Sequence, residues 1–294
     1  MPESRLSVGD VEVLALTDQG AVDYDPFPLL NQLFPEVPVE GWAPYQQRYP
    51  EVFGGPNIWR SHYGCYLLRS RGRTILVDTG AGSAATNPGM ISFFGLNDGH
   101  LMSELQTAGV RPEDIDIVFF THLHPDHVGW NLSGSGANAN AAFPRARYII
   151  NQADWDTFGS PKFQEQFPFK FWEETLGPLE NLGVLDLITG EQALTDEITA
   201  IPTPGHTPGH MSLAIISAGQ LAVIMGDVAI HPAQLTEVDW GHIFEMDRGL
   251  AAQTRRQFLD QVEEAEATLV ACHFPSPGFG KLVRVEGHRY WQGL

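Results

Sequence analysis

A chain of 294 residues with 43 % hydrophobic side chains can build one large domain, or two halves that share a core. Its 36 acidic against 17 basic residues leave a formal net charge of −19 at pH 7. That charge repels phosphate backbones and anionic lipid, which excludes nucleic-acid and membrane partners from the expectation, and no run approaches the roughly 20 apolar residues of a membrane span.

In chain order, the start MPESRLSVGD lacks the basic-then-apolar pattern of a secretory signal, so a cytoplasmic protein is expected. LSVGDVEVLALTDQG alternates apolar and polar residues and predicts a strand pair stopping at Gly20. Residues 21–60 carry seven prolines and little periodicity, and read as a long loop or cap. Their aromatics, Phe27, Phe34, Trp42, Tyr45, Phe53 and Trp59, argue against disorder and need something to cover. HYGCYLLRSRGRTILVDTGAG predicts a hairpin turning at Arg71-Gly72, and HLMSELQTAG a short helix closed by Gly109. DIDIVFFTHLH reads as a strand, and ARYIINQADW as a strand leading into a helix. A second aromatic-rich insertion spans 158–180, with Phe163, Phe167, Phe169, Phe171 and Trp172.

The second half repeats the style. EITAIPTPGHTPGHMSLAII is strand, turn, strand, and LAVIMGD is a strand ending in an aspartate. Leu250, Thr254, Phe258, Val262 and Ala265 recur at helical spacing, which predicts an amphipathic helix over 248–266. ATLVACHF is a strand ending in a histidine, and KLVRVEGHRYWQG a terminal hairpin. The two cysteines, Cys65 and Cys272, sit in apolar runs and are expected as buried free thiols. With no linker, repeat or low-complexity tract, the whole of 1–294 is expected as one unit: two sheets packed together with helices outside.

Three strand ends carry metal-compatible residues, and the turn PGHTPGH adds a fourth candidate. THLHPDH alone places three of the chain's 11 histidines and one aspartate within six positions. Residues two apart in an extended segment face one side, so His122 and His124 can bite one ion. Pro125 then turns the chain, bringing Asp126 and His127 toward another. With His210, Asp227 and His273 the set reaches five imidazoles and two carboxylates, enough for two ions. Such donors suit zinc first, with iron, manganese or cobalt as alternatives.

THLHPDH resembles the H-x-H-x-D-H signature of the metallo-β-lactamase superfamily. VDTGAG at 77–82, TPGHTPGH at 203–210, MGD at 225–227 and ACHF at 271–274 resemble that family's further motifs, in the same order. The resemblance covers about residues 60–275 and implies an α/β (α+β) chain folded as an αββα sandwich of two mixed sheets, with two divalent ions between the sheet edges. Carried over by position, it assigns His122, His124 and His210 to the first ion, Asp126, His127 and His273 to the second, and Asp227 to both. His206 and Asp78 become supporting residues that orient ligands.

The implied chemistry is hydrolysis by a hydroxide bridging the two ions. Asp126 or a water returns the proton, and His231 assists the substrate oxygen. The expected substrate is an apolar small-molecule ester or lactone, with phosphotriesterase side activity. Trp130 stands where many family members carry a glycine, and with Trp59, Phe53 and Ile230 it is expected to wall the pocket. Ile230 also stands where lactonases of the family often place a tyrosine. The low basic content counts against glutathione thioesters and nucleic acids. Alternatives are a β-lactamase-like or thioester hydrolase, a single-iron dioxygenase of the persulfide type, and a metal-binding module without catalysis. A homodimer is compatible with all of them.

Overall fold

The computed structural model describes residues 4–22, 29–134, 138–166 and 169–294. Phe27 and Phe167 lie outside the described residues. Two seven-stranded sheets dominate. The first holds β1 (Arg5–Val8), β2 (Val11–Val22), β3 (Ser61–Ser70), β4 (Arg73–Val77), β5 (Ile117–Phe119), β6 (Arg147–Asn151) and β7 (Leu185–Ile188), side by side in chain order. β1 to β4 pair antiparallel, and β4 to β7 pair parallel. Their crossovers include α1 (Leu101–Thr107) and α2 (Gln152–Phe158).

The second sheet holds β8 (Gln192–Ala193), β9 (Ile198–Pro202), β10 (Met211–Ser217), β11 (Gln220–Ile224), β12 (Thr268–Val270), β13 (Phe279–Val285) and β14 (His288–Gly293), again in chain order. Every pair is antiparallel except β11 and β12, which α3 (Arg248–Glu264) joins as a crossover. Both sheets are mixed, as the family resemblance implied. Among the described residues no helix is long and apolar enough to cross a membrane.

The period-two pattern of the strands sorts side chains into layers. Val11, Val13, Tyr66, Leu68, Ile75 and Val77 face the second sheet, where they meet Ala200, Leu213, Ala222, Ile224 and Val270. Their neighbours Leu14, Leu16, Leu67 and Leu76 face the other way, onto Leu101 and Leu105 of α1 and Trp155 and Phe158 of α2. Val223 and Leu269 likewise face outward, onto Phe258, Leu259 and Val262 of α3. The layers therefore run helix, sheet, sheet, helix. Cys65 and Cys272 are buried free thiols within them.

The hairpin turn falls at Arg71-Gly72, both with positive φ (50° and 76°), the mirror-image geometry that matches strand twist. Three expectations need correction. The strand read over 114–124 pairs only at Ile117–Phe119. Its neighbour β4 stops at Val77, and beyond that point the Asp78 carboxylate, not a strand, takes the Thr121 N–H. The first insertion is not loop throughout. It folds into short helices (Leu30–Leu33, Ala43–Arg48) and a small ribbon pairing Phe53–Gly55 with Ile58–Trp59. Phe34, Trp42, Phe53 and Trp59 pack with the α3 core. On α3 itself the buried stripe starts one residue later than predicted. Ala251 and Arg255 are buried, whereas Leu250 is exposed.

Candidate metal centre

Four chain segments that leave the C-terminal ends of β5, β9, β11 and β12 converge. Rigid strands hold the loop bases, which fixes the side chains beyond them. Asp78 organises the first segment. Its Oδ1 accepts from the Thr121 N–H at 2.8 Å, and its Oδ2 accepts from Thr121 Oγ1 at 2.8 Å and from His127 Nδ1 at 2.9 Å. Pro125 starts a 3₁₀ turn, Pro125–His127, that swings Asp126 and His127 inward.

Two donor groups result. In the first, three imidazole nitrogens form a triangle: His122 Nε2 to His124 Nδ1 is 3.1 Å, His124 Nδ1 to His206 Nε2 is 2.8 Å, and His206 Nε2 to His122 Nε2 is 3.1 Å. Asp227 Oδ2 lies 3.2 Å from His206 Nε2 and 3.7 Å from His122 Nε2. In the second, His127 Nε2 lies 3.6 Å from both Asp126 Oδ2 and Asp227 Oδ1. His273 Nε2 is 3.5 Å from Asp126 Oδ2 and 3.3 Å from Asp227 Oδ1. Asp227 thus divides its two oxygens between the groups.

The donors fit divalent ions. Three ring nitrogens cannot all pair with one another, because each neutral ring carries a single N–H. Their triangle is slightly tighter than the about 3.3 Å between tetrahedral ligands held about 2.0–2.1 Å from one ion. His127 Nε2 is buried without a hydrogen-bond partner among the described residues, while its Nδ1 is held by a carboxylate. That is the arrangement of a ligand imidazole oriented from behind. His273 is oriented in the same way, with Nδ1–H donating to the His62 carbonyl at 2.8 Å.

The electrostatics divide along the same line. Burial holds His122 and His124 well below the usual histidine range, so both stay neutral lone-pair donors. Burial also pulls on His127 and His273, but there the carboxylates of Asp126 and Asp227 win and raise both. The carboxylate-rich group therefore demands positive charge.

The structure brings together His122, His124, Asp126, His127, Asp227 and His273. It exchanges the roles of His206 and His210. His210 has both nitrogens engaged: Nε2 accepts from the Asp227 N–H at 2.9 Å, and Nδ1 meets Thr203 Oγ1 at 2.8 Å. No lone pair is left to face the first group. His206 is turned inward because Asp154 clamps the following turn, accepting from Thr207 Oγ1 at 2.8 Å and from the Gly209 N–H at 2.6 Å. Gly205 (φ +130°) packs so closely on the start of α3 that a Cβ there would lie 2.3 Å from the Ala251 nitrogen.

Beside both groups lies a cavity of about 270 Å³, walled mostly by apolar side chains, with no lysine or arginine among the lining residues. Trp59 and Ile230 line it, and Phe163 reaches it from the second insertion. Trp130 does not. Its indole N–H donates to buried Asp18 Oδ1 at 2.8 Å, and its ring packs on the first core. Phe53 is also off the wall, stacked edge-on against His231. His231 itself is caged by Phe34, Trp42, Phe53 and Trp59, and its Nδ1 accepts from the Ala233 N–H at 3.1 Å. It does not line the cavity, so the expected assistance to a substrate oxygen has no geometric basis.

Two residues escaped the sequence reading. Cys272 Sγ lies 3.4 Å from Asp227 Oδ1, and burial first, then the nearby carboxylates, keep its thiol protonated. Its position just before His273 was the available signal. His242, beside His206, sits in a stretch with no metal-like spacing at all.

Residues 64–273 match the family model described as the metallo-beta-lactamase superfamily. An N-acyl homoserine lactonase of Bacillus sp is 28 % identical over 161 residues, which cover 51 % of this chain and 57 % of the relative; the match thus spans little more than half of that curated protein. Among solved structures, AidC, a dizinc quorum-quenching lactonase in complex with a product, superposes with a TM-score of 0.79 at 22 % identity, covering 99 % of this chain and 96 % of that one. The hydrolase AbOPH, of the beta lactamase superfamily, gives 0.80 at 24 % identity over 99 % and 96 %. Those two likenesses show the fold, and the family match takes in most of both sheets and every segment of the centre. The chain belongs to the metallo-beta-lactamase superfamily.

Proposed function

We propose that this chain is a dinuclear metal-dependent hydrolase acting on neutral lactones or esters with apolar substituents. One observation carries the reading: Asp227 presents one oxygen to each of two donor groups at the edge of an apolar cavity. His122, His124, His206 and Asp227 Oδ2 would hold the first ion. Asp126, His127, His273 and Asp227 Oδ1 would hold the second. Zinc suits these nitrogen and oxygen donors, and the dizinc lactonase among the structural neighbours favours it.

Two such ions supply Lewis acidity and lower the pKa of a water toward neutrality. The chain's own groups do the rest. Asp78 and the His62 carbonyl fix the imidazoles of His127 and His273, and the His210 ring holds the Asp227 backbone. Asp126, with its side chain 24 % exposed, is the carboxylate placed to return a proton to a leaving oxygen. Trp59, Ile230 and Phe163 exclude water and receive an apolar substituent. The lactonase names among the relatives support a lactone as the first substrate to try.

The test is a rate panel on metal-quantified protein, with lactones of increasing chain length, an aryl ester, a phosphotriester, a β-lactam, a glutathione thioester and a persulfide with oxygen uptake. The expected result is about two ions per chain and the highest kcat/KM on a lactone or ester. Full turnover in metal-free protein would sink the reading. One iron per chain with persulfide-dependent oxygen uptake would replace it with the dioxygenase.

A further inference from the structure

Three imidazoles of the centre have their outward nitrogen engaged. His122 Nδ1 meets Thr121 Oγ1 at 3.1 Å, His127 Nδ1 meets Asp78 Oδ2 at 2.9 Å, and His273 Nδ1 meets the His62 carbonyl at 2.8 Å. His206 differs. Its Nδ1 is buried without a hydrogen-bond partner among the described residues. The ring of His242 stands 5.2 Å away, centroid to centroid, and both of its nitrogens are unpartnered too. Glu245 Oε1 is 3.6 Å from His242 Nε2 and is bonded to the buried guanidinium of Arg255, while Glu245 Oε2 has no partner.

Four buried polar atoms without partners, gathered in one place, are costly. They are also held firmly. The Met246 N–H donates to the His206 carbonyl at 2.9 Å, and the Asp247 N–H to the Gly205 carbonyl at 3.0 Å. Arg255 Nε donates to the Val228 carbonyl and Nη1 to the Val238 carbonyl, each at 2.7 Å. His242 and Glu245 stand in the wall of the cavity, but 0 % of their side-chain surface is exposed, which directs them to a buried neighbour before any substrate. The neighbour with an unmet need is His206.

Resting on the metal-centre reading, we propose that His242, backed by Glu245 and Arg255, is a positioning residue for His206. It provides the outward partner that His122, His127 and His273 already have, and so sets the direction and donor strength of His206 Nε2 at the first group. A small ring rotation, or one bridging water, closes the remaining gap. The arrangement also accounts for an arginine in the buried stripe of α3, where the helical pattern alone calls for an apolar residue.

The experiment is competitive titration of purified full-length protein with Zn²⁺ and with Co²⁺, following stoichiometry, each dissociation constant and the visible Co²⁺ spectrum. Wild type is compared with His242→Phe, an apolar ring of similar size between Phe34 and Phe244, and with His242→Gln, which keeps hydrogen-bonding capacity. The expected result is about 10–100-fold weaker binding of one ion of the two in the Phe variant, with an altered Co²⁺ band for that ion and partial recovery in the Gln variant. Equal weakening of both ions, or wild-type affinity and spectrum in a folded Phe variant, would overturn the proposal. If His242→Phe does not fold, Glu245→Gln decides, since it leaves the His242 ring in place: weakening of the same single ion supports the proposal, and no change overturns it. Wild-type protein that binds no pair of ions fails differently, because it removes the metal-centre reading itself.

Discussion

His206 Nε2 stands 3.2 Å from Asp227 Oδ2. Four residues later, His210 supports the same aspartate from behind, through its backbone N–H. One histidine faces the first donor group and the other holds the aspartate shared by both groups, which separates two substitutions that look alike in sequence. His206→Ala should lower bound metal from about two ions to about one per chain. His210→Ala should keep more metal but lower stability by about 1–3 kcal/mol, because the Asp227 N–H loses its buried acceptor. Metal analysis beside denaturant unfolding checks both. Equal metal loss in the two variants would refute the assignment.

Asp78 carries a separate prediction. Its Oδ2 serves both Thr121 Oγ1 and His127 Nδ1, and its Oδ1 serves the Thr121 N–H. In Asp78→Asn an amide replaces one carboxylate oxygen and turns an acceptor into a donor. Facing His127 Nδ1, it forces the other tautomer or a rotated ring. The second ion should bind about 10–100-fold more weakly, with the first little changed. Isothermal titration with Zn²⁺ resolves the two steps, and unchanged affinity at both would count against Asp78 as the orienting group.

Much of this centre was legible because its chemistry is local. His122, His124, Asp126 and His127 sit within one strand exit, where period two and a proline turn decide their directions. Asp227 and His273 each follow an apolar strand by three residues, so the strand ends fix where they lie. The choice between His206 and His210 was not local. Both follow a Pro-Gly pair in the same turn, and what separates them is Asp154 on α2 and the approach of α3 to Gly205. Trp130 was misread for the same reason, since its direction is set by Asp18, 112 residues earlier in the chain. The helices within 21–60 were hidden because prolines and aromatics fix them through packing on α3, without a helical period of their own.

His231 gives a pH prediction. Burial in its aromatic cage pushes its pKa down to about 3. A histidine depressed in the folded state binds more protons unfolded, so its share of stability is whole above about 6.5 and is lost as pH falls toward about 3. The slope in that window is roughly 1.4 kcal/mol per pH unit at most. His231→Phe should therefore lose less stability than wild type between about pH 6 and 4, while kcat/KM at neutral pH stays within about threefold, since the ring does not line the cavity. Parallel acid slopes in urea unfolding, or a large loss of turnover in a folded variant, would contradict this placement.

The last prediction concerns chain length. Met246 lines the cavity, yet the residue is 44 % exposed, so shortening it removes wall without opening a hole in the core. Burial of one methylene is worth about 0.8 kcal/mol, close to a fourfold effect at room temperature. Met246→Ser should leave rates on a short-chain lactone nearly unchanged. On a long-chain lactone it should lower kcat/KM by about 4–15-fold, mainly through KM, because an apolar tail is held equally in ground and transition states. Thermal unfolding should shift little, consistent with partial exposure. A uniform loss across all chain lengths would place the apolar substituent elsewhere, against Trp59 and Ile230 on another part of the cavity wall.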